Sequence, residues 1–227
     1  MPAKRQFEID TIPTRAGDLS ITFLGHGTLM FTFEGLTIHV DPYGEVADYS
    51  ELPQADLILI THEHFDHMDP AALAAVRRAD TDVVLTEAAA RQTSGGIVMH
   101  NGDRRSVRGL VIEAAPAYNV VHTRENGQPF HPYGSGNGYI VTFGDKRVYV
   151  AGDTENVREI KRLRDIDVAF LPMNLPYTMS PEMVADVART IQPKILYPYH
   201  FGDTDTGRLV QLLQGEPDIE VRIRQMA

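Results

Sequence analysis

The chain has 227 residues, 43% of them hydrophobic, no cysteine, and 21 Lys and Arg against 31 Asp and Glu, a formal net charge of −10. That length makes one large domain or two small ones and buries a core without staples. The missing cysteine excludes disulfides, thiolate metal sites and cysteine nucleophiles, and the acidic balance argues against a nucleic-acid groove.

No apolar run approaches the ~20 residues of a membrane span, and the amino-terminal MPAKRQFEID lacks the apolar stretch of a signal peptide, so a soluble, cytoplasmic protein is expected. Leu19–Leu24, Leu29–Phe33 and Leu36–Val40 read as strands rich in β-branched and aromatic residues, with Glu34-Gly35 as a hairpin turn. Asp56–Ile60 is a continuous apolar run, as in a strand buried on both faces. Asp69 followed by proline predicts a helix over Pro70–Arg78. Val107–Ala114 reads as a strand. Ala117–Gly138 is too long for an ordinary connection, and such segments are often functional loops. Tyr139–Phe143 and Arg147–Ala151 form a second hairpin pattern. A helix is predicted over Glu155–Arg164 with Thr154 as N-cap, then a buried strand at Val168–Leu171. A helix over Pro181–Ile191 behind Ser180, a strand at Ile195–Pro198, a helix over Thr206–Leu213 and a strand at Val221–Arg224 complete the series.

Hairpins mixed with strand–helix alternation indicate an α/β class with a mixed sheet. Phe31–Pro42 (FTFEGLTIHVDP) resembles Val141–Thr154 (VTFGDKRVYVAGDT): each is a hairpin with glycine near the turn and an acidic residue after its second strand. Two copies of one unit would build two facing sheets, although any two α/β hairpins look alike, and the pattern leaves both open. With no linker or low-complexity stretch, a single domain over 1–227 is expected.

Three of the nine histidines fall within six residues, in Thr61-His62-Glu63-His64-Phe65-Asp66-His67. They directly follow the buried strand Asp56–Ile60, at the carboxyl end where ligand groups collect in α/β architectures. His62, His64, Asp66 and His67 thus share one strand-to-helix turn. Imidazole and carboxylate suit Zn, Fe, Ni or Mn, whereas in a core each would need a polar partner. Asp153 ends the strand Arg147–Ala151, and His200 ends Ile195–Pro198. Alone, the first reads as an N-cap and the second as a satisfied histidine. With the cluster they would complete a two-metal site.

THEHFDHMD resembles the HxHxDH signature of the metallo-β-lactamase superfamily. GHGTLMFTFEGLTIHVDP upstream and AGDT and PYHFGD downstream stand in that family's order. More narrowly, the GHGT…VDP, APAYN…FHP, GYIVTFGDKRVYVAGDT and YTMSPEM segments are similar to compact metal-dependent hydrolases related to the ascorbate-phosphate lactonases. The likeness runs from about Leu19 to Asp203. It implies a four-layer αββα sandwich with two mixed sheets. It also implies that His62 and His64 bind one metal, Asp66, His67 and His200 the other, and that Asp153 bridges them, with Asp41 supporting a ligand ring. Many relatives supply the third histidine of the first metal from an A-x-H-S segment. Here that stretch is Ala117-Tyr118-Asn119-Val120, while Phe130-His131-Pro132 resembles the histidine of AYN-bearing relatives. His131 is therefore the expected ligand and His122 its rival. Asn119, Asn174, Tyr177 and Met179 would lie beside the site. His26 would touch substrate or pack under the first hairpin, and His39 and His100 are expected to be structural.

The resemblance implies a hydrolase with two divalent metal ions, zinc first, with manganese, iron or nickel as alternatives. Paired cations acidify a shared water from ~15.7 towards ~7, and Asp66 would orient it and shuttle its proton. The expected substrate is a small-molecule ester, lactone, amide or phosphodiester, phosphorylated sugar lactones first. A non-catalytic metal- or ligand-binding scaffold and a nucleic-acid-processing phosphodiesterase are the competing readings. Exposed sheet edges leave room for a homo-oligomer, and no membrane partner is expected.

Overall fold

The structure is a computed structural model and describes residues 6–227. Residues 1–5, with which both the amino-terminal MPAKRQFEID stretch and the expected domain begin, lie outside the described residues. The first sheet runs in the order β1 (Glu8–Thr14), β2 (Gly17–Gly25), β3 (Thr28–Phe33), β4 (Leu36–Val40), β5 (Ala55–Leu59), β6 (Arg77–Leu85) and β7 (Ile97–Val98). The second contains β8 (Arg104–Val107), β9 (Leu110–Ala117), β10 (Gly136–Phe143), β11 (Lys146–Val150), β12 (Val168–Pro172), β13 (Ile195–Tyr199) and β14 (Glu220–Val221), each beside its sequence neighbour.

In each sheet the first four strands are antiparallel and the remaining three add in parallel. One topology is thus used twice. The similar segments of the sequence are its equivalent hairpins, β3–β4 and β10–β11. The helices α1 (Pro70–Val76) and α2 (Glu87–Ala90) cover the first sheet, and α3 (Pro181–Ile191) and α4 (Thr206–Leu213) cover the second. This is the four-layer αββα sandwich. Among the described residues no helix is long and apolar enough to cross a membrane.

The inner core lies between the sheets and is rich in rings. Phe170 stacks on Tyr197 with centroids 5.0 Å apart, Phe23 meets Tyr197 at 5.1 Å, and Phe31 meets Phe143 at 5.5 Å. α3 shows how the outer layers attach. Ser180 caps it by accepting from Met183 N, Pro181 opens its first turn, and Val184, Val187, Ala188 and Ile191 bury one stripe against the second sheet.

Several predicted elements are corrected. Residues 155–164 hold only a 3-10 turn, Ile160–Arg162. The supposed cap Thr154 instead bonds the backbone of Tyr118 through its hydroxyl, and the Glu155 side chain turns into the 119–122 segment. α1 stops at Val76 because Arg78 leaves to pair with Asp56 (2.6 Å) and enter β6, a strand absent from the sequence reading. Val107–Ala114 is two strands, turning at Arg108 and Gly109, both at positive φ. β1 was also unread. It is an edge strand, where Pro13 is tolerated.

Only Glu220–Val221 is strand at the carboxyl end; Arg222 and Arg224 turn instead to Asp10 of β1. Asp10 accepts from the Tyr197 hydroxyl at 2.5 Å and from Arg224 at 2.7 and 2.8 Å. Burial pushes this carboxyl up, but the hydrogen bonds from Tyr197 and Arg224 and the two arginine charges outweigh it and hold it below the ordinary value. With the folded value below the unfolded ~3.9, the stabilisation is complete above about pH 4 and is lost as pH falls through the folded value. Asp10→Asn is expected to cost roughly 2 kcal/mol at pH 7, and the gap to the native chain should close on acidification. Urea unfolding at several pH values checks this; a gap independent of pH would show that the charge is not what matters.

Candidate metal centre

The carboxyl ends of the parallel strands meet at one rim of the sandwich. Asp41 follows β4, the 61–69 turn follows β5, Asp153 follows β11, Asn174 follows β12 and His200 follows β13. The long β9–β10 connection brings His131. Asp41 and His200 both sit at positive φ, as does His26, so three residues at this rim hold a backbone conformation that side chains rarely adopt.

Asp153 is the midpoint. Its Oδ2 lies 3.3 Å from His131 Nε2, 3.6 Å from His200 Nε2 and 4.0 Å from His62 Nε2, and its Oδ1 lies 3.5 Å from His67 Nε2. On one side, His62, His64 and His131 bring one ring nitrogen each within 4.8 Å of one another; on the other, ring nitrogens of His26, His67 and His200 and a carboxylate oxygen of Asp66 do the same. Asp66 Oδ2 is 3.0 Å from His26 Nε2, 3.6 Å from His200 Nε2 and 3.7 Å from His67 Nε2. Burial would raise Asp153, but the charges of His200, His67 and His131 hold it well below the carboxylate range. Burial pushes His62 and His64 down; His67 is carried up to about 9, because Asp153, Asp41 and Asp66 outweigh its burial.

A second layer orients these rings. Asp41 accepts from Thr61 N (2.7 Å), Thr61 Oγ1 (2.6 Å) and His67 Nδ1 (2.8 Å), which leaves His67 Nε2 turned to Asp153. The His62 Nδ1–H donates to Thr61 Oγ1 at 3.0 Å, so His62 also presents Nε2. Asn119 Oδ1 accepts from His131 N (3.0 Å) and His131 Nδ1 (2.7 Å), while its Nδ2 donates to Glu155 Oε1 (3.2 Å) and Tyr177 O (2.9 Å). Only one orientation of the amide satisfies all four bonds, so Nδ1 of His131 is a donor and Nε2 is the ring atom turned to Asp153. Glu155, whose side chain is wholly buried, also accepts from the backbone N–H groups of Val120, Val121 and His122 and from His122 Nδ1 at 2.6 Å. These donors overcome its burial and keep it ionised.

The structure therefore brings His131, not His122, to His62 and His64. His26 stands among the Asp66–His67–His200 group, with its ring 3.8 Å from that of His200. Asn174 reaches His200 Nδ1 at 3.5 Å, Tyr177 lines the adjoining cavity, and Met179 is buried in the outer core. His39 is apart from the site: it donates to Pro53 O, and burial pushes it to about 4. His100 is exposed. Sequence reasoning missed Thr61 and Glu155. A polar β-branched residue before His62 was a usable signal for Thr61. Nothing local pointed to the Glu155 partners, which lie 33–36 positions away.

Three atoms of the His–Asp cluster are among the described side-chain atoms buried with no hydrogen-bond partner: His67 Nε2, His200 Nε2 and Asp153 Oδ1. Such atoms cost free energy unless something charged or polar meets them. A cavity of about 430 Å³ opens over them.

The description "Beta-lactamase superfamily domain" matches residues 20–200. A UPF0173 metal-dependent hydrolase of Methanopyrus kandleri is 30% identical over 195 residues, covering 81% of this chain and 84% of that protein. A protein of Parabacteroides distasonis assigned as a metal-dependent hydrolase superimposes with a TM-score of 0.93 and 48% identity, over 98% of this chain and 100% of that one. Igni18, a metallo hydrolase of Ignicoccus hospitalis, shares the fold at a TM-score of 0.75 and 24% identity, over 92% and 96% of the two chains.

Proposed function

The chain belongs to the β-lactamase superfamily, and on that premise we propose that it is a metal-dependent hydrolase, one domain over its whole length, that cleaves a small-molecule ester, lactone or phosphodiester at a binuclear centre. The observation that carries this is the buried Asp153 carboxylate facing four imidazoles from three segments, with three buried atoms left without partners. The nitrogen and oxygen donors fit two divalent cations of the zinc, manganese, iron or nickel kind. His62, His64 and His131 would hold one, and Asp66, His67 and His200 the other, with Asp153 shared. When bound, such cations supply Lewis acidity and a water that ionises near pH ~7.

The chain's own residues do the rest. Asp66 lines the cavity and is held by His26 at 3.0 Å, which supports a role for its carboxylate in taking a proton from the attacking water and returning it to the leaving oxygen. Asp41 through His67, and Glu155 through Asn119 and His131, fix the ring orientations that keep the lone pairs convergent.

Elemental mass spectrometry on untagged protein purified without chelator should find about two equivalents of divalent metal per chain, and hydrolysis of a chromogenic ester or phosphodiester should vanish with chelator and return with metal. One equivalent would remove the binuclear assignment. No metal after reconstitution with zinc and manganese would leave a scaffold instead of an enzyme.

A further inference from the structure

Eight large apolar side chains are exposed among the described residues, and six of them, Phe65, Val120, Val121, Tyr133, Leu175 and Tyr177, stand in the three segments that border the metal-centre cavity. Such concentration at one mouth marks a binding surface, since scattered exposed hydrophobics need no explanation. Phe65, Phe130 and Tyr177 line the cavity itself. Phe130 and Tyr177 meet edge to face with centroids 5.0 Å apart, and Phe65 leans on Tyr43 at 5.8 Å.

One cation shares that wall. Arg124 is the only Lys or Arg lining the cavity among the described residues. It stands on a small hairpin in which Thr123 bridges Pro129, Arg124 N donates to Gln128 O at 2.7 Å, and Gly127 N donates to Arg124 O at 2.9 Å. Its guanidinium lies 5.1 Å from the Phe130 ring centre and donates to Phe130 O at 3.2 Å. Among the described residues no carboxylate pairs with this guanidinium, and that one bond engages a fork of five N–H donors. In a chain of net charge −10, an unpaired arginine over an aromatic wall suits an incoming anion.

We propose that the substrate is an amphiphilic anion, with a carboxylate or phosphate recognised by Arg124 and an aromatic or acyl arm laid along Phe65, Phe130 and Tyr177. This rests on the hydrolase reading and narrows it. A phosphorylated sugar would use the arginine but set its hydroxyls against rings; Asn174 is the one uncharged amide in the lining. An anion carrying an apolar arm satisfies both walls, because the fork pairs bidentately with the anion while the rings bury the arm.

Calorimetric titration of the metal-loaded protein with simple probes tests the subsite apart from turnover. 4-Phenylbutyrate should bind at least about tenfold more tightly than either acetate or 4-phenylbutanol. Arg124→Gln should weaken 4-phenylbutyrate about tenfold and leave 4-phenylbutanol alone, and Arg124→Lys should fall between, since an ammonium keeps the charge without the fork. Phe65→Ser, at a position 70% exposed, should weaken both phenyl probes and not acetate. Phenylbutylphosphonate in place of the carboxylate ranks phosphoryl against carboxyl groups. Metal content and melting temperature of each variant show that it is folded and loaded. Equal binding of 4-phenylbutyrate by Arg124→Gln and the native chain, acetate as tight as 4-phenylbutyrate, or no binding by any probe would overturn the proposal. If the probes behave as expected but no chromogenic ester is cleaved, the hydrolase reading fails and the subsite stands.

Discussion

Asparagine at position 153 should strip the protein of most of its metal while leaving the fold in place. The amide has nearly the size of the carboxylate, so packing around it changes little. The charge does not survive the change, and His62, His67, His131 and His200 all face it within 4.0 Å. Loss of a partner one shell further out typically costs 10–100-fold in metal affinity, so loss of the shared carboxylate should cost more than about 100-fold, with hydrolysis falling at least as far. Competition titration against a chelator reads the affinity, and circular dichroism reads the fold. Full metal retention by Asp153→Asn would contradict the shared-ligand assignment.

Glutamine at position 155 should do nearly as much damage from a residue that touches no metal. All five groups around Glu155 are donors: three consecutive backbone N–H groups, the His122 ring and the Asn119 amide. A carboxylate meets them with two acceptor oxygens. A carboxamide, in either orientation, points N–H bonds at N–H bonds and leaves buried donors unsatisfied, at a cost of about 1–3 kcal/mol. The consequence should reach the rim, because Asn119 loses the partner that holds it while it holds His131. Metal affinity is expected to fall about 10–100-fold, with the loss confined to the His62–His64–His131 group. One equivalent should therefore remain at concentrations where the native chain holds two. Asn119→Asp, which sets a second carboxylate against Glu155, should reproduce the pattern. Two equivalents retained by Glu155→Gln with native affinity would show that the relay does not position His131.

Much of this molecule was legible in its residues because the signals were local. The two doubly buried strands, the β3–β4 and β10–β11 hairpins and the capped helices α1 and α3 follow from apolar runs, turn glycines and Asp/Ser-Pro starts that act over a few positions, and α4 from its own local pattern. The clustering of His62, His64, Asp66 and His67 on one turn needs only a strand that ends before them. The resemblance between the two hairpin segments offered a repeated topology as one of two readings; the structure shows it, with Asp41 and Asp153 after the equivalent strands β4 and β11.

What tertiary structure decided lies in contacts that span tens of positions. The 155–164 pattern is helical by composition, yet Thr154 and Glu155 are drawn off to residues 118–122, and those bonds outweigh a weak propensity. Arg78 abandons α1 for Asp56, 22 positions earlier. The choice between His122 and His131 could not be made from spacing, since both sit in the same loop. It is made by Glu155, which takes the His122 ring for itself and, through Asn119, turns His131 Nε2 towards Asp153. The sequence by itself determined which donors the chain owns and on which strand ends they stand, because those are local facts of pattern. Which lone pairs converge is a property of hydrogen bonds between distant segments, and those exist only once the two sheets have closed on each other.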